Sequence, residues 1–284
     1  KSTKKLSPEQ EKKTFYAQPV YKRAAIIFAG PFMNYVFAVL IFALVLATVG
    51  YIRVPAKAGD VLPDSVAEQA GILKGDTFVA VNGKPIADFT DLKRAIVVST
   101  YGKTIDLTIE RDGKLLHLQA TPKLVGEDKM PQLGVVADMN VELTYERYNP
   151  IEAVGKAVQM VWQINTDTLI YLKQIITGQR SASELRGPVG IAEASGDAAK
   201  GGWFMFVLFL AQVSIGIGFV NLLPVPILDG GHLAFMAYEA VARKPASEKV
   251  QEALLKVGMV LLLALFVFTL FKDIPRVIGR VFGL

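Results

Sequence analysis

Three stretches of the chain run without charge for long enough to suggest membrane spans. From Ala24 to Ile52 there are 29 consecutive uncharged residues, where roughly 20 suffice to cross a ~30 Å hydrocarbon core. Trp203 to Leu223 gives 21, with Gln212 and Ser214 as its main polar groups. Val257 to Phe271 gives 15, and Leu254 and Leu255 extend it if Lys256 snorkels to the surface. The pattern predicts transmembrane helices over 24–52, 203–223 and 254–271. The first is too long for the apolar core of a signal peptide and shows no small-residue cleavage site. Gly30, Pro31 and Asn34 lie near its start. Such residues are tolerated where a neighbouring helix or water takes up the freed backbone groups, so they point to packing against another helix.

Between the first two spans the periodicity changes. Thr77–Val81, Thr104–Arg111 and Leu115–Ala120 read as strands, with turns at Asn82-Gly83 and Asp112-Gly113. Val66–Ala70 reads as a helical turn. Phe89–Val98 reads as an amphipathic helix with Phe89, Leu92, Ile96 and Val97 on one face. Residues 53–125 are therefore expected to form a mostly β soluble domain. In 126–202 the stretch Ile151–Ile176 has a helical apolar stripe, interrupted by Gln163, Asn165, Asp167 and Lys173. It is too polar to span, and could lie on the membrane surface or clamp the β domain. Gly178 ends it, and Gly187-Pro188 reads as a rigid turn.

Composition agrees with a membrane protein carrying a soluble part. Hydrophobic residues make up 52%, charged residues 20%, and the mean hydropathy is +0.37, more apolar and less charged than an ordinary soluble domain. This excludes a disordered chain, a collagen, a coiled coil and a nucleic-acid-binding tail, and no nucleic-acid partner is expected. Without cysteine, disulfides, thiolate metal sites and cysteine nucleophiles are excluded. The net charge of +5 is clustered: residues 1–23 carry seven Lys and Arg, and Arg243, Lys244, Lys249 and Lys256 fall in 242–256. The positive-inside rule puts both regions in the cytoplasm and 53–202 outside. Residues 233–253 become a cytoplasmic helix and loop, and the tail 272–284 runs against the rule with three cations.

One stretch carries chemistry: Asn221-Leu-Leu-Pro224-Val-Pro226-Ile-Leu-Asp229-Gly230-Gly231-His232. An acid within a span costs about 2.5–3.5 kcal/mol on insertion scales and is a functional-site hypothesis by default. The two prolines remove backbone donors, so the chain is expected to be extended from Asn221, with Asp229 facing a wet cavity in 224–232. Asp229 as a plain helix cap at the membrane edge and Asn221 as a plain helix terminator stay open at this point. His232 reads as a histidine on the following helix rather than as a ligand.

Asn221-x-x-Pro224-x-Pro226-x-x-Asp229-Gly230 resembles the Asn-Pro-Asp-Gly motif of the site-2 intramembrane metalloproteases. Ser65–Asp76 with Val81-Asn82-Gly83 resembles the bacterial PDZ signature. Gly30-Pro31-x-x-Asn34 and Gly187-Pro188 also match, in an order that fits the sigma-E-regulating bacterial branch. The resemblance implies a multi-span α-helical inner-membrane protein with an inserted extracytoplasmic PDZ-like domain, mostly β and partly an open barrel. It implies a zinc endopeptidase that cuts transmembrane segments of single-span substrates, of the anti-sigma-factor or remnant-signal-peptide type, in the lipid bilayer. Asp229 matches the third zinc ligand, and Asn221 a residue that positions substrate or water. The PDZ domain is expected to gate access, with Leu73, Lys74, Gly75 and Asp76 where either a carboxylate- or peptide-binding loop or a structural turn could sit.

The family's other two ligands and its general base come from a His-Glu-x-x-His helix, and residues 1–284 contain none. The resemblance places that helix before Lys1, so this chain alone is expected to be inactive. The rival reading is a non-catalytic membrane scaffold whose PDZ domain binds peptides. A transporter is weaker, because three spans and one intramembrane acid are few for a transport path.

Overall fold

The computed structural model describes residues 14–99, 102–125, 130–138, 144–179 and 187–282. Most of the basic segment 1–23 and the last two residues of the tail lie outside them. The chain divides into two compact units, one made of residues up to 42 and from 186 onward, the other of residues 43–185.

Helix α1 covers Val20–Thr48 and continues through Pro31, which cannot donate to the carbonyl four residues back. It stops short of the expected Ile52. Gly50 has φ +94°, and Tyr51–Arg53 (β1) pairs antiparallel with Thr144–Glu146. The uncharged run therefore ends in a strand. The backbone N–H of Tyr148 donates to Leu46 O at 3.3 Å, joining the end of α1 to the far end of the β unit.

The β unit continues with β2 (Ala58–Val61), α2 (Val66–Gln69), β3 (Thr77–Val81), β4 (Lys84–Pro85), α3 (Phe89–Val98), β5 (Ile105–Arg111), β6 (Lys114–Ala120), β7 (Lys123–Val125), β8 (Met130–Gln132), β9 (Val135–Ala137) and β10 (Thr144–Glu146). Four strands form one antiparallel sheet in the order β4-β3-β5-β6, with Asn82-Gly83 and Asp112-Gly113 as its hairpin turns. Alternate residues Ile105, Leu107 and Ile109 point inward and join Ile72, Phe78 and Leu92 in one buried cluster, each contributing about 1.5–3 kcal/mol of burial. The expected boundary at 125 is too early. Strand β9 pairs with β2, and Leu133 belongs to the core.

Helix α3 is capped by Asp88, whose Oδ1 accepts from Asp91 N at 2.8 Å while Oδ2 accepts from the Tyr51 hydroxyl at 2.9 Å. Helix α4 (Pro150–Ile176) starts with a capping box of Asn149 and Glu152 and is fastened to α3. Asp167 takes the Arg94 guanidinium in a two-bond fork, one bond at 2.8 Å, and the Gln174 amide donates to Val98 O at 2.9 Å. The stretch that could have lain on the membrane or clamped the β domain thus clamps it. Its other face keeps Ile151, Val154, Val158, Trp162, Leu169 and Ile176 exposed.

In the other unit, Gly187-Pro188 is not a turn but the cap and first residue of helix α5 (Pro188–Lys200), where a proline's missing N–H goes unneeded. Helix α6 (Trp203–Leu222), helix α7 (Asp229–Ala242) and helix α8 (Glu248–Phe282) follow. Three helical stretches, Val20–Thr48, Trp203–Leu222 and Glu248–Phe271, are long and apolar enough to span a membrane. Helix α8 begins six residues before the expected 254. Asn221 is helical, not extended: a proline disfavours helix in the residue just before it, Leu223, and leaves Asn221 alone. The packing suggested by Gly30, Pro31 and Asn34 is with α6. Ser214 Oγ lies 3.0 Å from Asn34 Oδ1, and any side chain at Gly218 would press on Pro31 O and Asn34 Cβ at 3.2 Å.

Asp76 is 1% exposed. Its Oδ1 and Oδ2 each accept from Arg111 at 2.7 Å, Oδ2 accepts from Leu73 N at 2.8 Å, and Arg111 also donates to Gly71 O at 2.7 Å. Burial alone would raise this carboxyl, but the Arg111 fork, the Leu73 N–H and the Arg111 charge outweigh it and hold the group below its ordinary value of 3.8. A depressed carboxylate stabilises the fold above its unfolded value and loses that contribution as pH falls through the folded one. We expect Arg111→Ala to lower the melting temperature of the β unit by roughly 5 °C or more near neutral pH. The gap from the parent should narrow as pH falls below about 4. Melting curves of both proteins, read by hydrogen exchange of the β3 and β5 amides, check this; a gap independent of pH would contradict it.

Candidate functional site

Asp229 is the first residue of α7, and the preceding Leu228 offers no side-chain cap. The six residues between α6 and α7 hold a compact loop by Val225 N to Leu223 O at 2.7 Å and Leu228 N to Val225 O at 2.8 Å; Pro224 and Pro226 have no N–H to leave unpaired. Helix α7 starts directly on this loop. A Cβ at Gly230 would lie 2.3 Å from Leu223 O and 2.4 Å from Leu222 O, and one at Gly231 would lie 2.3 Å from Val225 O. No side chain fits at either position without moving backbone. The two glycines thereby fix where the helix begins and where Asp229 stands.

The Asp229 carboxylate faces α1. Its Oδ2 is 3.6 Å from where Gly30 would carry a Cβ, so the glycine leaves space beside it. Asp229 is half-buried and, among the described residues, its carboxylate has no hydrogen-bond or ion-pair partner. The first turn of a helix is a favourable place for negative charge, which is how the fold carries the acid. Asn221, in the last turn of α6, is also half-buried with no side-chain partner among the described residues. His232 follows within α7, half-buried, its backbone N–H donating to Leu228 O at 3.3 Å.

Catalytic zinc takes three protein ligands and keeps one position for water. Among the described residues no group of three or more His, Cys, Asp or Glu could hold a metal ion. Asp229 is a fitting single oxygen donor, free and with room beside it, but these residues do not complete a zinc site.

Of the two readings of the loop 73–76, the structure shows the turn. Asp76 is taken up by Arg111 and is closed to a peptide, while Leu73, Lys74 and Gly75 are exposed around a structural turn. The groove of the β unit lies elsewhere. It is about 560 Å³, with α3 as one wall and Pro131–Ala137 as the other. Leu92 and Ile96 are its buried floor, and Lys93 is the one charged residue among those that line it. The α3 wall was visible in the sequence as an apolar helical face. The strand wall lay past the expected domain boundary. Gly230 and Gly231 stood in the quoted motif, but local sequence does not show what their backbone touches.

The model of peptidase family M50 matches residues 3–265. A Rhizobium meliloti protein named "Putative zinc metalloprotease" is 37% identical over 96% of this chain and 75% of its own length. A Brucella suis protein of the same description is 40% identical over 95% of this chain and 73% of its own. Among solved structures, the PDZ domain of an SdrC-like protein from Listeria monocytogenes aligns with 32% of this chain and 93% of its own, at 16% identity and a TM-score of 0.27, too slight a likeness to argue from. The family match over most of the chain and the identity to its metalloprotease relatives agree with the Asn221–Asp229 motif, and the chain belongs to peptidase family M50, the site-2 protease family.

Proposed function

We propose that this protein is an intramembrane zinc endopeptidase of the bacterial inner membrane that cuts the transmembrane segments of single-span proteins. The observation that carries the reading is the Asp229 carboxylate: half-buried, unpartnered among the described residues, and fixed by two glycines beside the space at Gly30. Asp229 is the residue of this chain that would hold zinc, with the remaining ligands from a His-Glu-x-x-His helix. Zinc bound by three protein ligands lowers the pKa of its water to about 7 and polarises a scissile carbonyl. Asn221, whose amide has no partner among the described residues, would orient the substrate backbone or the water. The relatives' names support the metal assignment.

The β unit would act as a PDZ-like gate on the periplasmic side. Its groove suits an extended apolar chain, laid beside the strand wall as peptides are in strand-addition recognition. The exposed apolar stripe of α4, with Trp162 at its middle, suits the membrane surface.

Three outcomes test this. In the protein carrying the His-Glu-x-x-His helix, Asp229→Ala should cut proteolysis at least 100-fold and lower zinc content, since removing one of three ligands leaves a weak site. Full activity with normal zinc, or zinc lost on His232→Ala instead, would overturn the ligand assignment. Val136→Arg should fill the groove from an exposed position. It should weaken binding of an extended apolar peptide about 10-fold or more and alter selection among substrates with external domains. Cleavage of a short transmembrane peptide should not change, and an equal loss on both kinds of substrate would remove the gating role. An impermeant thiol label should reach a cysteine placed at Gly113 from the periplasm and one at Ala246 from the cytoplasm; labelling of both from one side would refute the topology.

A further inference from the structure

Arg23 belongs to the basic residues that flank the first span, and its role there could end with setting orientation. Its geometry says more. Arg23 Nη2 donates to Glu239 Oε1 at 2.6 Å, and its Nε donates to Gln18 O at 3.0 Å. The side chains are only 14% and 20% exposed. The side chain of its neighbour Lys22 is exposed and has no partner among the described residues.

Glu239 lies on α7, ten residues beyond Asp229, while Arg23 lies on α1, seven residues before Gly30. The two meeting points therefore occur in opposite order along the two helices. Helix α7 runs antiparallel to the first part of α1, with Arg23 and Glu239 in contact and the Asp229 carboxylate facing Gly30. Around the Arg23–Glu239 pair an open apolar cleft of about 460 Å³ separates the two helices, lined by Val20, Tyr21 and Ala24 on one side and Leu233, Met236, Ala237 and Ala240 on the other. Side chains that do not interdigitate cannot set an axial register, and a slip of one turn moves a residue by about 5.4 Å. Such a slip would carry the Asp229 carboxylate past Gly30.

We propose that Arg23 and Glu239 form the positioning pair that sets the register of α7 on α1 and so holds the Asp229 carboxylate beside Gly30. Neither residue touches Asp229; both act through the helix. The inference rests on the reading of Asp229 as a zinc ligand, and its test separates the two.

The test uses the protein with its His-Glu-x-x-His helix, and zinc alone as the probe, titrated against a chelator and expressed per folded molecule. Arg23→Ala and Glu239→Ala should each weaken zinc binding about 10-fold, the effect typical of residues that orient a metal ligand. The exchange R23E/E239R should bring it back to within about 3-fold, and Lys22→Ala, which removes the same charge next door, should leave it unchanged. A second readout does not involve metal. The chain has no cysteine, so cysteines placed at Ala24 and Ala237, across the cleft, report the register by cross-linking, and their yield should fall in the single variants and recover in the exchange. Zinc affinity and cross-linking both unchanged in the single variants would overturn the pair's role, as would an equal zinc loss in Lys22→Ala. Zinc retained in Asp229→Ala would instead refute the ligand reading, and the cross-linking would still decide the register.

Discussion

Helix α7 begins on bare backbone. At Gly230 and Gly231 a single added carbon would lie 2.3 Å from a carbonyl oxygen of the preceding loop, closer than atoms in a folded protein approach. This steric constraint does what a hydrogen-bond network does elsewhere: it determines the place of an acid without occupying the acid. Asp229 can stand half-buried with its oxygens unused because the glycines after it seat the start of α7 on the loop without drawing on its carboxylate. The prolines in the loop serve the same end, since they carry no N–H that would compete for the carboxylate.

The β unit positions its groove by a different means, with polar side chains fully engaged. Asp88 caps α3 and is itself held by Tyr51, whose hydroxyl is pushed up to about 12, by burial first and then by its bond to Asp88. Arg94 and the C-terminal carbonyl of Val98 are held by Asp167 and Gln174 of α4. Helix α3 is thus secured at its start, middle and end, and its apolar face is left to Leu92, Ile96 and the groove. Asp76 and Arg111 close the neighbouring loop in the same manner. A wall fastened at three points is pre-organised, and pre-organisation reduces what a bound peptide must spend on ordering.

What could be read in advance follows from the range of each cause. The spans were legible because a bilayer selects against charge residue by residue, and hairpins at Asn82-Gly83 and Asp112-Gly113 were legible because a turn is a two-residue matter. The end of α1 was misread because Tyr51 and Ile52 are as uncharged as the span; the strand they form depends on Thr144–Glu146, some ninety residues on. The engagement of Asp76 in the loop 73–76 was not legible because its partner, Arg111, is 35 residues away. The second wall of the groove was invisible for the same reason, since β9 joins the unit only by pairing with β2. In the Asn221–Asp229 stretch the residue types were readable and the geometry was not.

Polar groups in the membrane unit differ in whether they have partners. Ser214 hydrogen-bonds to Asn34, and Thr269 returns its hydroxyl to Leu265 O at 2.9 Å; these groups hold helices or satisfy themselves. Asn221 and Asp229, with His232 close behind, have no side-chain partner among the described residues. Asp229 and Asn221 are half-buried rather than sealed from water, so their unused polar atoms do not carry the full cost of a buried unsatisfied group. The first turn of α7 favours the charge of Asp229, so the fold keeps an acid there whose oxygens stay available.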